Sequence, residues 1–113
     1  MKIENAKAQM KKGVLEMCIL SILEKGEAYP PEISNILKEG QLIVVDGTLY
    51  PLLNRLKNEG LLTHTWREST SGPPRKYYKL TETGRTVLHS LEESWVELTQ
   101  SVEHLFAQGK KNK

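Results

Sequence analysis

The chain of 113 residues contains one cysteine, one phenylalanine and no apolar run of membrane-spanning length. Cys18 therefore has no partner for an intrachain disulfide, which favours a reducing compartment. The N-terminal segment carries lysines but lacks the apolar stretch that is typical of a secretory signal. These absences predict a cytoplasmic protein with no membrane segment.

Catalytic and metal-binding patterns are missing as well. The three histidines, His64, His89 and His104, are scattered and have no cysteine or histidine at zinc-binding spacing. Nothing resembles a glycine-rich phosphate loop or a nucleophile elbow. The sequence therefore predicts no enzyme activity, no metal site and no cofactor.

The charges are unevenly distributed, although the net charge is only +2. Residues 46–80 hold six basic and three acidic side chains, whereas residues 82–105 hold one basic and five acidic ones. A basic segment beside an acidic one allows one part of the domain to face a polyanion while another part cannot. The middle of the chain is thus the candidate nucleic-acid surface.

Periodicity and turn residues predict one mainly α-helical domain with a small β-hairpin. Pro31 falls in the first turn of the second helix, Asp46 or Thr48 caps the third, and Thr81 caps the last. We expect helices over about 8–25, 31–40, 48–59 and 82–108, strands over 61–68 and 75–80, a frayed segment over 1–7 and a polar tail over 109–113.

The segment 46–62 is the most informative one. Leu49, Leu52, Leu53 and Leu56 recur at helical spacing and form a buried stripe, and Gly60 ends the helix in a left-handed conformation. The opposite side carries residues that donate to phosphates and base edges, namely Tyr50, Asn54, Arg55, Lys57 and Asn58. The alternative is a small core with a solvated polar helix face.

A basic hairpin follows this helix, with Arg75 and Lys76 next to the turn cluster of residues 69–74. A helix followed by such a hairpin is the layout of a winged helix-turn-helix, whose recognition helix enters the DNA major groove. Arg75 and Lys76 would pair with phosphates. Tyr77 and Tyr78 point to opposite faces of the strand, so we expect one in the core and one exposed.

The last helix carries apolar residues at alternating spacings of four and three, flanked by acidic residues. This heptad pattern over about three repeats predicts a dimer interface, because residues 82–105 would extend roughly 36 Å, beyond what so small a domain covers alone. The alternative is packing against the first helix of the same subunit. The predicted dimer interface consists of Val14, Leu88, Leu91, Trp95, Leu98, Val102 and Leu105.

Trp95 lies in the middle of this seam. It is either a core tryptophan or, with its symmetry mate, the wall of a cavity in which flat aromatic ligands stack. Methionines of the first helix suit an adaptable pocket wall. The candidate effector-binding residues are Trp95, Met10, Met17 and Leu91.

The motif Gly47-Thr48-Leu49-Tyr50-Pro51 followed by Arg75-Lys76-Tyr77-Tyr78 resembles the PadR family of transcriptional regulators, and the likeness extends over nearly the whole chain. It looks like the short subfamily, which has one dimerisation helix, and Trp95 matches the position at which multidrug-binding members stack flat drugs. One departure is Tyr29-Pro30-Pro31-Glu32, where the family usually has Tyr-Gly-Tyr-Glu; the start of the second helix is stiffer and one aromatic contact is lost.

The resemblance implies a winged helix-turn-helix over residues 1–80, a dimerisation helix over 81–108, and a homodimeric repressor of a pseudo-palindromic operator on double-stranded DNA. It also implies release by a planar aromatic or phenolic small molecule. The rival hypothesis is a winged-helix module that binds a protein partner instead of specific DNA. The candidate DNA-binding residues are Tyr29, Thr48, Tyr50, Pro51, Asn54, Arg55, Lys57, Gly72, Arg75, Lys76 and Tyr77.

Overall fold

The computed structural model describes the backbone of residues 1–111 and the side chains of residues 1–109. Three helices precede a two-stranded antiparallel hairpin, and a long helix follows it, as the sequence predicted. The elements are α1 (Ile3–Glu24), α2 (Pro30–Glu39), α3 (Asp46–Asn58), β1 (Leu62–Ser69), β2 (Gly72–Leu80) and α4 (Glu82–Lys111).

One hydrophobic core joins all of these elements. Each helix contributes apolar residues at helical spacing, and the base of the hairpin closes the core from one side. The fully buried side chains are Ile19 and Leu20 of α1, Ile33 of α2, Leu49, Leu53 and Leu56 of α3, and Leu88 of α4. Tyr78 is the tyrosine that enters the core, as predicted for one of the two rings, whereas Tyr77 is half-buried and not exposed, because its ring packs beside that of Tyr29.

Both ends of the helical part differ from the sequence-based bounds. The helix α1 begins at Ile3, so the segment expected to be frayed is helical. The helix α4 continues through Gly109 to Lys111, which contradicts a polar tail from residue 109. At the N-terminal end, residues 3–5 are exposed, so they extend α1 without adding to the core. The end of the predicted tail, residues 112–113, lies outside the described residues.

The prolines bear on two helix starts: Pro31 lies in the first turn of α2, as predicted, whereas the start of α3 differs from the prediction. In α2, Pro30 is the first helical residue and Tyr29 is the N-cap residue, whose amide donates to the Glu32 carboxylate at 3.0 Å. In α3, the helix starts at Asp46 with Val45 as the cap residue and no side-chain cap, so Pro51 lies inside the helix. The prediction of a start near Thr48 was wrong because the Val45 carbonyl already accepts two helical amides.

The stop of α3 follows the prediction. Gly60 has φ +80°, its amide donates to the Lys57 carbonyl, and the Leu61 amide donates to the Leu56 carbonyl, both at 3.0 Å. These two bonds form a Schellman motif, which requires a left-handed residue after the helix. Glycine at this position therefore turns the chain directly from α3 into β1.

The hairpin is longer at its tip than the turn cluster suggested. The strand β2 begins at Gly72, not Arg75, and the register shifts between the pairs Arg67–Arg75 and Ser69–Gly72. The shift gives β2 one extra residue, so the two prolines before Arg75 lie in a bulge, where a missing amide disturbs the ladder least. A single bridge between Ala28 and Tyr78 ties the hairpin to the segment before α2.

The junction between the hairpin and α4 is tightly built. The Gly84 amide donates to the Thr81 hydroxyl at 2.9 Å, which confirms Thr81 as the N-cap, and this hydroxyl lies 2.8 Å from the Gly60 carbonyl and 3.0 Å from that of Leu61. Gly84 packs directly against the Leu61 backbone.

Within the described residues, no helix combines the length and apolarity that crossing a bilayer requires.

Candidate nucleic-acid interface

The exposed side of α3 carries polar side chains opposite its buried leucines. Tyr50, Asn54 and Lys57 recur at positions i, i+4 and i+7 and therefore share one face. Tyr50 and Asn54 are exposed, and Lys57 is half-buried near the hairpin. Thr48 and Pro51 are exposed at the first two turns. The predicted recognition face thus exists as a continuous polar surface on a helix fixed to the core.

Arg55 lies on a different side of α3. Its guanidinium forms an ion pair with Glu16 of α1 and approaches Glu59 at 3.9 Å. These contacts hold the side chain toward α1, one helical step away from the Tyr50–Asn54 line. Sequence periodicity alone grouped Arg55 with the other polar residues, because the carboxylate that engages it belongs to another helix.

The two basic residues next to the wing tip point to opposite faces of the hairpin. On the outer face, which carries Arg67, Arg75 and Tyr77, the guanidinium carbon of Arg67 lies 4.4 Å from the Tyr77 ring centroid and that of Arg75 lies 4.8 Å from the Tyr29 ring centroid. The Tyr29 and Tyr77 centroids are 5.3 Å apart. Arg67, which the sequence analysis did not select, also pairs with Glu27. Stacked cations of this kind keep donors free at their edges.

The other face, which we call the inner face, carries His64 and Trp66 on β1 and Lys76 and Tyr78 on β2. Lys76 reaches over the rings of Trp66 and Tyr78. Burial, and then the positive charges of Lys76 and Lys57, lower the pKa of His64 below its usual value. Lys76 was a predicted DNA-binding residue and Trp66 was not, because the sequence alone does not give the cross-strand register that pairs them. Gly72 is exposed at the tip.

A second candidate site lies between α1 and α4. An open groove of about 620 Å³ is lined by Met10, Val14, Trp95, Leu98 and Val102, among others. An adjoining depression of about 200 Å³ adds Met17 and Leu91. The structure therefore brings the four predicted effector residues together along one groove, with Trp95 bordering both parts.

The predicted seam of α4 divides into a buried and an exposed part. Leu88 is fully buried in the core of its own protomer, so it cannot face a partner, and we remove it from the candidate interface. Leu91, Trp95, Leu98, Val102 and Leu105 remain between 37% and 66% exposed. An exposed apolar stripe of this length is unusual for a lone protomer.

Near the end of α1, Glu24, His89 and Glu92 could supply ligand atoms to one metal ion. Glu24, however, already pairs with Arg85 at 3.2 Å and with His89 at 2.9 Å. These contacts tie α1 to α4 and account for the cluster.

Comparison with known proteins agrees with the fold and the motifs. Residues 19–90 match the model of the transcriptional regulator PadR-like family. A PadR-like transcription factor from Bacteroides fragilis is 58% identical, with a TM-score of 0.76 over 89% of this chain and 98% of that one. A PadR family regulator from Eggerthella lenta is 34% identical, with a TM-score of 0.85 over 92% and 91% of the two chains.

The negative transcriptional regulator PadR of Bacillus subtilis is 34% identical over 79 residues, and the match spans 67% of this chain but 43% of that protein. Its structure in complex with operator DNA matches with 33% identity and a TM-score of 0.65, over 69% of this chain and 45% of that one. The family resemblance carried by the residues is thereby confirmed. The chain belongs to the PadR-like family of transcriptional regulators.

Proposed function

We propose that this protein is a dimeric repressor that binds a pseudo-palindromic operator, with α3 in the major groove and the hairpin on the adjacent backbone. The observation that carries the proposal is the polar face of α3, with Tyr50, Asn54 and Lys57 in line beside a basic hairpin. A helix fixed by its buried leucines presents such a face to base edges without rearrangement. The operator complex of Bacillus subtilis PadR supports the proposal by relationship.

The charges of the hairpin favour DNA over a protein partner. Among residues 1–109, no carboxylate lies within ion-pairing distance of Arg75 or Lys76, whereas Arg67 pairs with Glu27. Lysine and arginine left unpaired beside a recognition helix are suited to neutralising phosphates. The acidic residues of α4 form no ion pair with either side chain.

Salt-dependent anisotropy titrations with a labelled duplex test the proposal. Binding of duplex DNA should weaken steeply with salt, and Arg75→Ala or Lys76→Ala should each flatten the log–log slope by about one unit. Lys25→Ala is the matched control for the loss of one positive charge. Lys25 lies beside Lys79 at the base of the hairpin, at the end opposite the tip that carries Arg75 and Lys76. If the wild type shows no duplex binding at any salt concentration, the protein-interaction module becomes the better hypothesis.

The exposed stripe of α4 supports the dimer. Leu98 and Val102 are apolar and exposed to solvent. Because a heptad pattern is typical of helices that pair with a like helix, α4 of a second copy is the partner that we expect to cover them. Leu98→Glu should convert the dimer to a monomer in sedimentation or light-scattering measurements. Glu93→Gln, on the same helix, should leave the mass unchanged. A monomeric wild type at micromolar concentration would remove this part of the proposal.

Release by a planar aromatic ligand is the last part of the proposal. The groove between α1 and α4 offers the Trp95 indole and the flexible Met10 side chain, and stacking on an indole contributes about 0.5–1.5 kcal/mol per ring pair beyond area burial. In a Trp66→Phe background, a planar cationic dye should quench Trp95 fluorescence and weaken DNA binding. Trp95→Ala should abolish dye binding while the dimer persists; equal dye binding without Trp95 would leave it a packing residue only.

A further inference from the structure

The inner face of the hairpin contains an aromatic side chain that the fold does not bury. Tyr78 fills the core at the base of this face, His64 is half-buried in the middle, and Trp66 is 64% exposed toward the tip. The indole therefore contributes little to the core. Glu68, the next residue of β1 on this face, is exposed at the register shift, where the ladder is irregular.

A lysine faces this indole across the hairpin. Lys76 is the cross-strand partner of Trp66, and its Nζ lies 5.9 Å from the indole centroid and 5.4 Å from the Tyr78 centroid. Burial, and then the charges of Lys76 and of Lys57 near the end of α3, lower the pKa of His64, whose ring lies 6.3 Å from the Trp66 ring.

A flat apolar ring beside an ammonium group has a particular complementarity to nucleic acid. A phosphate pairs with the cation, and a sugar or base packs against the ring, so that a nucleotide satisfies both groups at once. An acidic peptide could pair with Lys76 but offers no regular flat partner to the indole. The inner face also adjoins α3, the helix that carries the polar recognition face.

We propose that Trp66 and Lys76 form a DNA-backbone site on the α3-facing side of the wing, in which the indole packs against a deoxyribose and the ammonium group pairs with the adjacent phosphate. The site rests on the proposed DNA-binding function and adds Trp66 to its contacts. With this site the hairpin would contact DNA through the uncharged Trp66 as well as through the cations Arg75 and Lys76. Because the contact of the indole releases no counterion, the hairpin's contribution to affinity is only partly salt-dependent.

Trp66→Ala and Lys76→Ala separate the two contributions in anisotropy titrations of a labelled duplex at several salt concentrations. Trp66→Ala should weaken binding about fivefold or more, as for loss of an aromatic stacking contact, with an unchanged salt slope, because no charge is lost. Lys76→Ala should flatten the slope by about one unit. Trp66→Phe should retain most of the affinity. Thr63→Ala, at the base of the opposite face, is the matched control and should bind like the wild type.

A spectroscopic readout follows the indole itself. In a Trp95→Phe background the emission comes from Trp66, and duplex DNA should quench or shift it in proportion to the bound fraction. Thermal melting checks that each variant folds. Because Trp66 is mostly exposed, we expect its replacement to leave the fold intact.

The outcomes are distinct. If the wild type binds no duplex, both the proposed function and this site are wrong. If the wild type binds and Trp66→Ala binds equally well, the site is wrong while the function stands. If Trp66→Ala flattens the salt slope as Lys76→Ala does, the indole only positions the lysine and makes no contact of its own. A Trp66 signal that responds to a protein partner but not to DNA would overturn the site as well.

Discussion

Replacing Gly84 by alanine should be one of the most damaging single-methyl changes in the chain. A Cβ at this position would lie 2.1 Å from the Leu61 carbonyl oxygen and 2.7 Å from a Leu80 methyl group. Ordinary contacts between such atoms are above about 3.4 Å, so α4 would have to move by roughly 1 Å. The first obstacle is backbone, which cannot rotate away as a flexible side chain can.

The cost follows from this geometry. Overpacking typically costs about 1–3 kcal/mol, and the upper part of the range applies here because the Leu61 carbonyl also accepts the Thr81 amide at 3.1 Å. The higher helix propensity of alanine offsets about 0.5–1 kcal/mol. The net loss is about 2 kcal/mol, which corresponds to a decrease in Tm of roughly 8 °C for a domain of this size.

Thermal and urea denaturation at fixed protein concentration measure this loss. Gly109→Ala is the matched control, since it is the same substitution in the same helix, and a Cβ there would meet no atom within 4 Å. It should leave stability unchanged or slightly increased. If Gly84→Ala melts within about 1 °C of the wild type, the close approach of α4 to the Leu61 backbone is wrong, and so is the packing derived from it.

Substitutions at four further positions test separate parts of the structure. Thr81→Ala should cost about 1–2 kcal/mol of unfolding free energy through loss of the α4 cap, and Thr81→Ser should restore most of it; equal urea midpoints for all three proteins would refute the cap. Gly60→Ala should cost about 1 kcal/mol, because only the left-handed backbone opposes it, and Gly60→Asn should cost less. Asn54→Ala should weaken operator binding by about 1–3 kcal/mol while non-specific binding changes little; an unchanged operator affinity in an anisotropy titration would remove Asn54 from base readout. Arg55→Ala should change the salt slope less than Arg75→Ala does, since Glu16 already engages Arg55; an equal change would mean that DNA displaces this ion pair.

Local rules explain what the sequence could predict. The Gly60 stop and the Thr81 cap each depend on a residue whose backbone or hydroxyl chemistry suits one position at a helix end. The buried stripe of α3 follows from periodicity alone, and its leucines are all buried or half-buried. The helix, glycine stop and basic hairpin therefore fixed the winged-helix prediction before any packing was known.

Partners distant in the chain explain what the sequence could not predict. The heptad pattern assigned Leu88 and Leu98 to the same seam, yet Leu88 is fully buried within the protomer and Leu98 is 57% exposed. Periodicity identifies the apolar side of a helix but not which neighbour covers it. For the same reason the sequence did not identify Trp66 as an exposed residue. Strand alternation places Trp66 on the same face as the buried Tyr78, but Trp66 is exposed because the hairpin extends beyond the core.

The first helix contacts the core, the groove beside α4 and the helix α3, each through a different side. Ile19 is fully buried in the core, Val14 lines the groove against Trp95 of α4, and Glu16 holds Arg55 of α3. Glu16 itself borders the smaller part of that groove. A molecule or a second protomer seated against Trp95 would therefore contact the same turn of α1 that positions the side of α3 next to its recognition face. Such an occupant can shift DNA affinity only as far as it binds one arrangement of these helices better than another.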